Sequence, residues 1–420
     1  MFVPYAAPGD TLKVEITETR KRFARGRILE VLRPSADRVE APCPYYYRCG
    51  GCTWQHLPYA AQLKAKQALV RETLERIGGL RGVAVKPVLG MKDPWRYRNK
   101  VQQPVAWDGK QLISGFYAAG SHEIIPIEDC LVQPELSVQI VNRTKALLNQ
   151  CGLRAYDDKH HHGWIRHLLV RTSREGKVLL VFVARSSDFP QESKIIPVLM
   201  REFPSLVGIH QNVNPARTNV ILGRKWRRIY GQDYLEERLG RLTFRLSPSA
   251  FFQVNSPQAE VLYDSVKAMA GSGERLLDLY TGVGTIALWL SDRFREVGGV
   301  EENPAAIKDA ETNAEINRIP NARFIAQSTE AFLGGISRDS RHGLTVIVDP
   351  PRAGCTPAVL KSLVALRPSP LIYVSCDPGT LARDLAILTK GGYRVDDVQP
   401  VDLFPHTSHI ETAVKLIYDR

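Results

Sequence analysis

The stretch RLLDLYTGVGT, residues 275–285, decides the fold of the second half of the chain. It begins as a short apolar strand that ends at Asp278. The turn that follows carries Gly282 and Gly284 and leads into an apolar helix at 286–290. Glycine lets the backbone turn tightly and lets a ligand approach the chain closely. The stretch therefore predicts a strand, a ligand-binding turn and a helix of an α/β sheet.

A second predicted strand, residues 297–300, ends at Glu301, where an acid suits the hydroxyls of a ribose. The turn before it does not follow the dinucleotide pattern G-x-G-x-x-G but reads D-x-x-x-G-x-G. An acid before a two-glycine turn favours the amino-acid end of S-adenosylmethionine over a pyrophosphate. Asp278, Gly282 and Gly284 are therefore candidate cofactor-binding residues, although an ordinary strand–turn–helix unit would share the pattern.

Two more predicted strands end at polar residues. Residues 344–348 lead into Asp349, and residues 371–375 lead into Cys376. Ligands bind outside the carboxyl ends of the strands in an open α/β sheet. We therefore expect one edge of this sheet to carry four candidate site residues, namely Asp278, Glu301, Asp349 and Cys376.

Cys376 stands among a serine, an aspartate and a proline, which indicates a turn at a strand end. The last two predicted strands are 393–402 and 411–418, and the second begins with Glu411. A thiolate and a carboxylate have a joint chemistry on uracil, because carbon 5 of the free base is too weak a nucleophile to take a methyl group. Addition of a thiolate to carbon 6 makes an enolate, and a base must later remove the carbon 5 proton so that the thiolate can leave.

The first half of the chain has a different pattern. Residues 11–17 and 27–32 alternate like strands around a basic stretch, which predicts a small β-barrel with a basic hairpin. Residues 59–78 have a helical composition, and several β-like runs follow. The expected fold is α/β, with a C-terminal Rossmann-like sheet, a mixed α+β central domain and the small barrel. The expected domains are 1–41, 42–245 and 246–420.

Charge is unevenly distributed along the 420 residues. Residues 1–250 carry 39 lysines and arginines against 23 acids, whereas residues 251–420 carry 17 against 21. A basic first half favours nucleic acid as the partner, ahead of an anionic membrane surface or a merely soluble surface. No apolar run approaches the roughly 18 residues of a membrane span. We expect a cytoplasmic protein with no membrane association and no obligate protein partner.

Seven cysteines are present, and three of them form a tight group at Cys43, Cys49 and Cys52. Cys130 follows after 77 intervening residues. In a cytosolic chain such a group suggests a metal or iron–sulfur site more than disulfides. Spacing alone leaves zinc open and even favours it.

Three motifs carry a resemblance that covers nearly the whole chain. Residues 375–384, 404–411 and 251–255 resemble the nucleophile motif, the C-terminal signature and the domain-entry segment of the RNA uracil-5 methyltransferases. That family includes 23S rRNA and tRNA enzymes. The resemblance implies that Cys376 is the nucleophile and Glu411 the general base. It also implies contacts to S-adenosylmethionine from Gln253, Tyr280, Glu301 and Asp349.

The N-terminal half is similar to the iron–sulfur branch of the same family. The cysteine spacing resembles its [4Fe–4S] ligand set, which implies Cys43, Cys49, Cys52 and Cys130 as ligands. Residues 1–41 resemble an RNA-binding TRAM domain, and the chain starts inside that domain, so we expect either a truncated barrel or a true start further upstream. The candidate RNA-binding residues form what we call the hairpin tip: Arg20, Lys21, Arg22 and Arg25.

Several alternatives compete with this interpretation. An amino-group methyltransferase shares an Asp-Pro-Pro motif at 349–351, but Arg352 replaces the aromatic residue that would stack the base. A methylthiotransferase has a different cysteine spacing and fold order. A non-catalytic RNA-binding or RNA-folding protein would not need Cys376 and Glu411. Among RNA substrates, the cysteines and the TRAM-like region favour 23S rRNA, with the T-loop of tRNA second.

Overall fold

The computed structural model describes residues 1–21, 23–157, 160–336 and 343–419. Near the N-terminus, strands β1 (Thr11–Thr19) and β2 (Ala24–Arg33) form an antiparallel pair. Both predicted strands are present, and each is longer than the sequence pattern indicated. In the hairpin tip, Arg20 and Lys21 follow the end of β1 and Arg25 is the second residue of β2, whereas Arg22 is outside the described residues.

Helix α1 (Tyr59–Arg76) follows the loop that carries the first three cysteines, close to the predicted 59–78. Its buried positions are spaced four residues apart, so that they form one face of the helix. Two of them, Val70 and Leu74, belong to the same apolar core as Leu381 and Leu385 near the C-terminus. The helix therefore joins the N-terminal part of the chain to the C-terminal sheet.

The central part contains a mixed seven-stranded sheet in the order β5-β4-β3-β6-β7-β8-β9. Every residue of β7 is buried, because helices α2 and α3 cover one face and further chain covers the other. The bounds of these elements are β3 (Lys100–Trp107), β4 (Leu112–Tyr117), β5 (Ile124–Pro126), α2 (Glu135–Gln150), β6 (Ile165–Thr172), β7 (Val178–Ala184), α3 (Glu192–Glu202), β8 (Leu206–Val213) and β9 (Lys225–Gly231).

The C-terminal part begins with a hairpin and a helix and continues as a second seven-stranded sheet. The hairpin is β10 (Leu235–Leu239) with β11 (Leu242–Leu246), and the helix is α4 (Ser256–Ala270). The other elements are β12 (Gly273–Leu279), α5 (Thr285–Leu290), β13 (Phe294–Glu301), α6 (Pro304–Ile316), β14 (Ala322–Ala326), α7 (Thr329–Gly335), β15 (Leu344–Val348), α8 (Pro357–Leu366), β16 (Leu371–Ser375), α9 (Pro378–Lys390), β17 (Tyr393–Val401) and β18 (Glu411–Tyr418).

The order of this sheet is β14-β13-β12-β15-β16-β18-β17. Strands β12 to β16 are parallel to one another, whereas β18 is antiparallel to both β16 and β17. The predicted Rossmann-like sheet is confirmed. The carboxyl ends of β12, β13, β15 and β16 share one edge, and the start of β18 lies at the same edge. Among the described residues, no helix has the length and apolarity to cross a membrane.

Candidate active site

Asp278 stands at the end of β12 and is 1% exposed. One carboxylate oxygen accepts hydrogen bonds from the Thr281 hydroxyl (2.6 Å) and from the backbone amide of Ala287 (3.1 Å). The other oxygen is buried and has no hydrogen-bond partner among the described residues. Burial raises the pKa of Asp278 to about 7. An acid held by the first turn of a helix, with one oxygen unpaired, is suited to a cationic ligand.

The turn after β12 needs backbone conformations in the left-handed region. Tyr280, Gly282 and Gly284 have φ angles of 65°, 56° and 83°. A Cβ at Gly284 would come within 3.0 Å of the Phe324 ring, so glycine is required for packing there. A Cβ at Gly282 would meet open space instead. The backbone of Gly282 is therefore accessible from the ligand side, and its amide donates to Glu301 at 3.3 Å.

Strand pairing brings Cys376 and Glu411 together. Ser375, the last residue of β16, pairs with Thr412 on antiparallel β18. Cys376, which follows Ser375, therefore lies beside Glu411, which precedes Thr412. Cys376 is half-buried, and Asp377 after it caps α9 by accepting a hydrogen bond from the Thr380 amide (2.9 Å). The cap fixes the turn that presents the thiol.

Besides burial, the negative charge of Asp349 raises the pKa values of both Cys376 and Glu411. Burial, followed by the charge of Asp349, raises the pKa of Glu411 well above its ordinary value. Burial, followed by the charges of Glu411 and Asp349, raises the pKa of Cys376 to about 11. The positive charge of Arg352 opposes this rise, because it favours the ionised forms of both Cys376 and Glu411 and so acts to lower their pKa values. Asp349 itself has a pKa raised to about 7, first by burial and then by Asp278.

Tyr263 lies near this edge, whereas Gln253 is buried against the central part of the chain. Tyr263 on α4 is buried, donates to the Thr285 hydroxyl at 3.2 Å, and has its pKa raised by burial and by the charges of Asp349, Asp278 and Glu411. Sequence patterns did not single out Tyr263 as a site residue, because it lies on the apolar face of a helix. Gln253 is also buried, and its carbonyl accepts a hydrogen bond from the Asn99 amide at 2.9 Å.

The four predicted cysteine ligands are free thiols in loops of the N-terminal half. Besides burial, the charges of Cys130 and Cys43 raise the pKa values of both Cys49 and Cys52. The four thiols are therefore close enough to interact electrostatically. No three of their sulfurs lie within 4.8 Å of one another. A tetrahedral zinc ion needs sulfurs about 3.8 Å apart, because the Zn–S bond is about 2.3 Å. These described thiols are thus not assembled at the spacing of a single zinc ion.

The described residues of the hairpin tip, Arg20, Lys21 and Arg25, are exposed, but their surroundings are not purely cationic. Glu18 forms ion pairs with Arg20 (2.6 Å) and Arg25 (3.5 Å). The guanidinium of Arg25 lies 5.7 Å from the centre of the Phe23 ring, which is itself partly exposed. Basic side chains beside an exposed aromatic ring are suited to phosphates and bases of RNA.

The sheet order and the polar ligand edge define the class of S-adenosylmethionine-dependent methyltransferases. A family model described as tRNA (Uracil-5-)-methyltransferase matches residues 214–418, and a TRAM domain model matches residues 1–29. The chain therefore belongs to the family of S-adenosylmethionine-dependent RNA uracil-5 methyltransferases and is an enzyme of that type. The alternative of a non-catalytic RNA-binding protein is set aside.

Relatives over the full length agree with this assignment. An RNA methyltransferase of Halalkalibacterium halodurans is 41% identical over 419 residues, which is 99% of this chain and 92% of that protein. An RNA methyltransferase of Bacillus cereus is 42% identical over 417 residues, which is 99% of this chain and 91% of that protein. The solved structure of the Pyrococcus abyssi tRNA (uracil-54, C5)-methyltransferase with S-adenosyl-L-homocysteine has a TM-score of 0.79 at 31% identity, covering 99% of this chain and 95% of that one.

Proposed function

We propose that this enzyme methylates carbon 5 of a specific uridine in RNA, with Cys376 as the nucleophile and Glu411 as the general base. The observation that carries the proposal is the strand register that sets these two residues side by side at the ligand edge. A thiol and a carboxyl group at one place are the pair that addition to uracil and its reversal require. Neither an amino-group transfer nor a methylthio transfer would use this pair.

The reaction begins when the thiolate of Cys376 adds to carbon 6 of the uracil and makes carbon 5 nucleophilic. Carbon 5 then takes the methyl group that bound S-adenosylmethionine supplies. Glu411 removes the proton from carbon 5, the electrons of that C–H bond restore the double bond between carbons 5 and 6, and the bond to sulfur breaks. The raised pKa of Glu411 suits this step, because a carboxylate in a dry site is a stronger base than one in water.

The cofactor contacts follow from the acids at the strand ends. The proposed contact residues are Asp278, Tyr280, Gly282, Gly284, Glu301, Asp349 and Gln253. Burial raises the pKa values of both Asp278 and Asp349 to about 7, and the charge of Glu301 on Asp278 and the charge of Asp278 on Asp349 act in the same direction. A bound sulfonium and ammonium would stabilise both groups as carboxylates. The unpaired oxygen of Asp278 further supports a ligand at this place.

The proposed RNA substrate is 23S rRNA, with the T-loop of tRNA as the second candidate. The TRAM match and the four N-terminal cysteines favour rRNA. The second candidate is supported by the Pyrococcus abyssi structure, which belongs to a tRNA (uracil-54, C5)-methyltransferase. In either RNA the target uridine must leave its stack to reach Cys376. Mapping 5-methyluridine in rRNA and tRNA from a deletion strain distinguishes the two, because the lost modification identifies the substrate.

A [4Fe–4S] cluster on Cys43, Cys49, Cys52 and Cys130 is a further part of the proposal. Its support is the shared neighbourhood of the thiols and their backbone donors. The amide of Gly51 donates a hydrogen bond to the Cys49 sulfur at 3.4 Å, and the backbones of Tyr45 and Tyr46 oppose the rise that burial causes in the pKa of Cys43. Donors of this kind stabilise thiolate ligands. Such a cluster also spreads its ligands more widely than one zinc ion does, because each thiolate binds a different iron.

Metal analysis tests the cluster directly. Anaerobically purified protein should be brown and should contain about four irons per chain. Cys43→Ser should lower the iron content, the stability and the RNA affinity before it affects cofactor binding. Stoichiometric zinc in that preparation would overturn the cluster and leave the methyl transfer proposal standing.

Covalent trapping tests the nucleophile. RNA that carries 5-fluorouridine should form a denaturation-resistant adduct with the enzyme and cofactor, because fluorine cannot leave as a proton does. Cys376→Ala should abolish both the adduct and methylation while binding of S-adenosylmethionine persists. The matched control is Cys151→Ala, at a half-buried thiol at the end of α2. Full activity of Cys376→Ala would refute the mechanism and favour amino-group chemistry.

A further inference from the structure

The loop between β17 and β18 holds a strained residue. His406 has φ 66°, which places a residue that is not glycine in the left-handed region. Such a conformation costs free energy and persists only where surrounding contacts fix it. His406 lies five residues before Glu411, and the loop that contains it leads directly into the strand that begins with Glu411. The contacts on His406 are therefore relevant to where Glu411 is placed.

The backbone of His406 is held by the N-terminal half of the chain. Its carbonyl accepts two hydrogen bonds of 2.9 Å, from the amides of Thr53 and Trp54. Its own amide donates to the side-chain oxygen of Gln62 at 2.9 Å. Gln62 is 0% exposed, and its side-chain nitrogen lies 3.2 Å from Nδ1 of His406 and 2.9 Å from the carbonyl of Leu57.

Other contacts hold the rest of the same loop. The ring of His406 stacks on Trp95 with centres 3.7 Å apart and planes 18° apart. Lys66 forms a buried ion pair with Asp402 at 2.6 Å and also donates to the carbonyl of Phe404 at 3.0 Å. We call this set the loop clamp, and it consists of Thr53, Trp54, Gln62, Lys66 and Trp95.

Glu411 lacks comparable support of its own. Its side chain makes no hydrogen bond to any described residue, and one carboxylate oxygen is buried without a partner. The position of this carboxylate is therefore set by its backbone and by packing. The neighbouring Ile410 is fully buried, so a shift of the loop would be passed to Glu411 through a packed connection.

We propose that Gln62 is a positioning residue for proton removal by Glu411, acting through His406 and the loop that leads into β18. The inference rests on the proposed role of Glu411 as the base. The affected step is the last one, in which the carboxylate takes the carbon 5 proton and the sulfur leaves carbon 6. A misplacement of about 1 Å slows a positioned step by roughly 100-fold. Addition of Cys376 and methyl transfer depend on β16 and the acids at the strand ends, to which the loop clamp makes no hydrogen bond within the described part of the chain.

The test compares Gln62→Met with Gln67→Met in the full-length enzyme. Gln67 lies on the same helix, but its side-chain nitrogen bonds the carbonyl of Val85 and does not contact the loop. With ordinary uridine RNA, Gln62→Met should accumulate methylated enzyme–RNA adduct and release product about 10- to 100-fold more slowly. Its KM for RNA and its affinity for S-adenosylmethionine should change less than twofold. Gln67→Met should behave like the wild type.

Amide hydrogen exchange gives a second readout that does not depend on activity. In Gln62→Met the peptide that contains Thr53 and Trp54 and the peptide 402–411 should both exchange faster, because both report on the bonds to His406. Trp95→Leu, which removes only the ring stacking, serves as a second variant and should show the same pattern more weakly. A purely structural loss would lower adduct and product together, leaving their ratio unchanged, and that result would overturn the inference.

The same experiment separates failure of the inference from failure of the proposed function. Glu411→Gln is measured in parallel as the reference for slow proton removal. Accumulation of adduct in Glu411→Gln but not in Gln62→Met would reject Gln62 and keep Glu411 as the base. Normal turnover of Glu411→Gln would reject the base assignment itself, and the positioning role of Gln62 would fall with it.

Discussion

Removal of Lys66 from its buried ion pair should destabilise the enzyme strongly. Lys66 and Asp402 both have 0% exposed side chains, and their charged atoms lie 2.6 Å apart. In Lys66→Met, Asp402 keeps two donors at 3.0 Å, the Tyr59 hydroxyl and the Phe404 amide. Breaking a buried pair from one side costs about 3–5 kcal/mol, and the two remaining donors favour the lower end of that range. We expect a loss of about 3 kcal/mol.

Thermal and urea unfolding, followed by circular dichroism, measure this loss. A change of about 3 kcal/mol corresponds to a melting temperature lowered by about 6–12 °C for a unit of 150–250 residues. Lys64→Met is the matched control on the exposed side of the same helix and should stay within about 0.5 kcal/mol of the wild type.

A double variant identifies the cause of the loss. Burial lowers the pKa of Lys66 although Asp402 is beside it, so desolvation outweighs the attraction in this pair. Lys66→Met with Asp402→Asn removes both charges and keeps an acceptor for the Phe404 amide. It should recover at least half of the stability lost in the single variant. A single variant that loses less than about 1 kcal/mol, or a double variant that is no better, would refute the reasoning.

Three further predictions concern the reaction and the RNA. Glu411→Gln should still transfer the methyl group but accumulate methylated adduct on a denaturing gel, and normal turnover would reassign the base. Affinity for S-adenosylmethionine should rise between about pH 6 and pH 8, because Asp278 and Asp349, with pKa values raised to about 7, become carboxylates that attract its positive charge. S-adenosylhomocysteine lacks the sulfonium and should show a weaker dependence in the same titration calorimetry. Alanine at all four positions of the hairpin tip should weaken RNA binding and flatten its salt dependence without changing cofactor affinity. An unchanged salt slope would favour another RNA contact, at the second basic stretch of the chain, Arg224, Lys225, Arg227 and Arg228 around Trp226.

The pH dependence of stability has a definite sign at this site. A carboxyl whose folded pKa lies above its unfolded value binds more protons in the folded state between the two values. Asp278 is such a group, with a value of about 7 against the ordinary 3.8. Its contribution therefore favours folding below pH 4 and is lost as pH rises through about 7. Bound S-adenosylmethionine should restore part of that stability above pH 7, because its charge favours the ionised form.

Local patterns in the sequence were enough to predict the strand ends at this edge of the C-terminal sheet. An apolar strand that ends at an acid and is followed by a glycine turn can be recognised from consecutive residues. The structure confirms the strands that end near Asp278, Glu301, Asp349 and Cys376. The start of the last strand at Glu411 was also predicted correctly. These features depend on side-chain period and turn chemistry, which act over a few residues.

Helix α1 shows what the sequence could not reveal. Gln62 and Lys66 are polar and would be assigned to a solvated face, yet the structure buries both on the same face as Val70 and Leu74. Their partners lie more than 300 residues further along the chain, at His406 and in the loop around it. Nothing local to a polar side chain indicates whether a distant partner will pair with it, and only that pairing makes burial of a charge tolerable.

The sequence by itself determined the family resemblance, the strand ends and the identities of the proposed nucleophile and base. Only the tertiary structure decided that β18 enters between β16 and β17, and hence that Glu411 lies beside Cys376. Only the tertiary structure decided that the segment after Cys52 holds the loop before Glu411. The physical reason is that strand order and long-range hydrogen bonds are selected by packing of the whole chain, whereas the residue pattern specifies each element by itself.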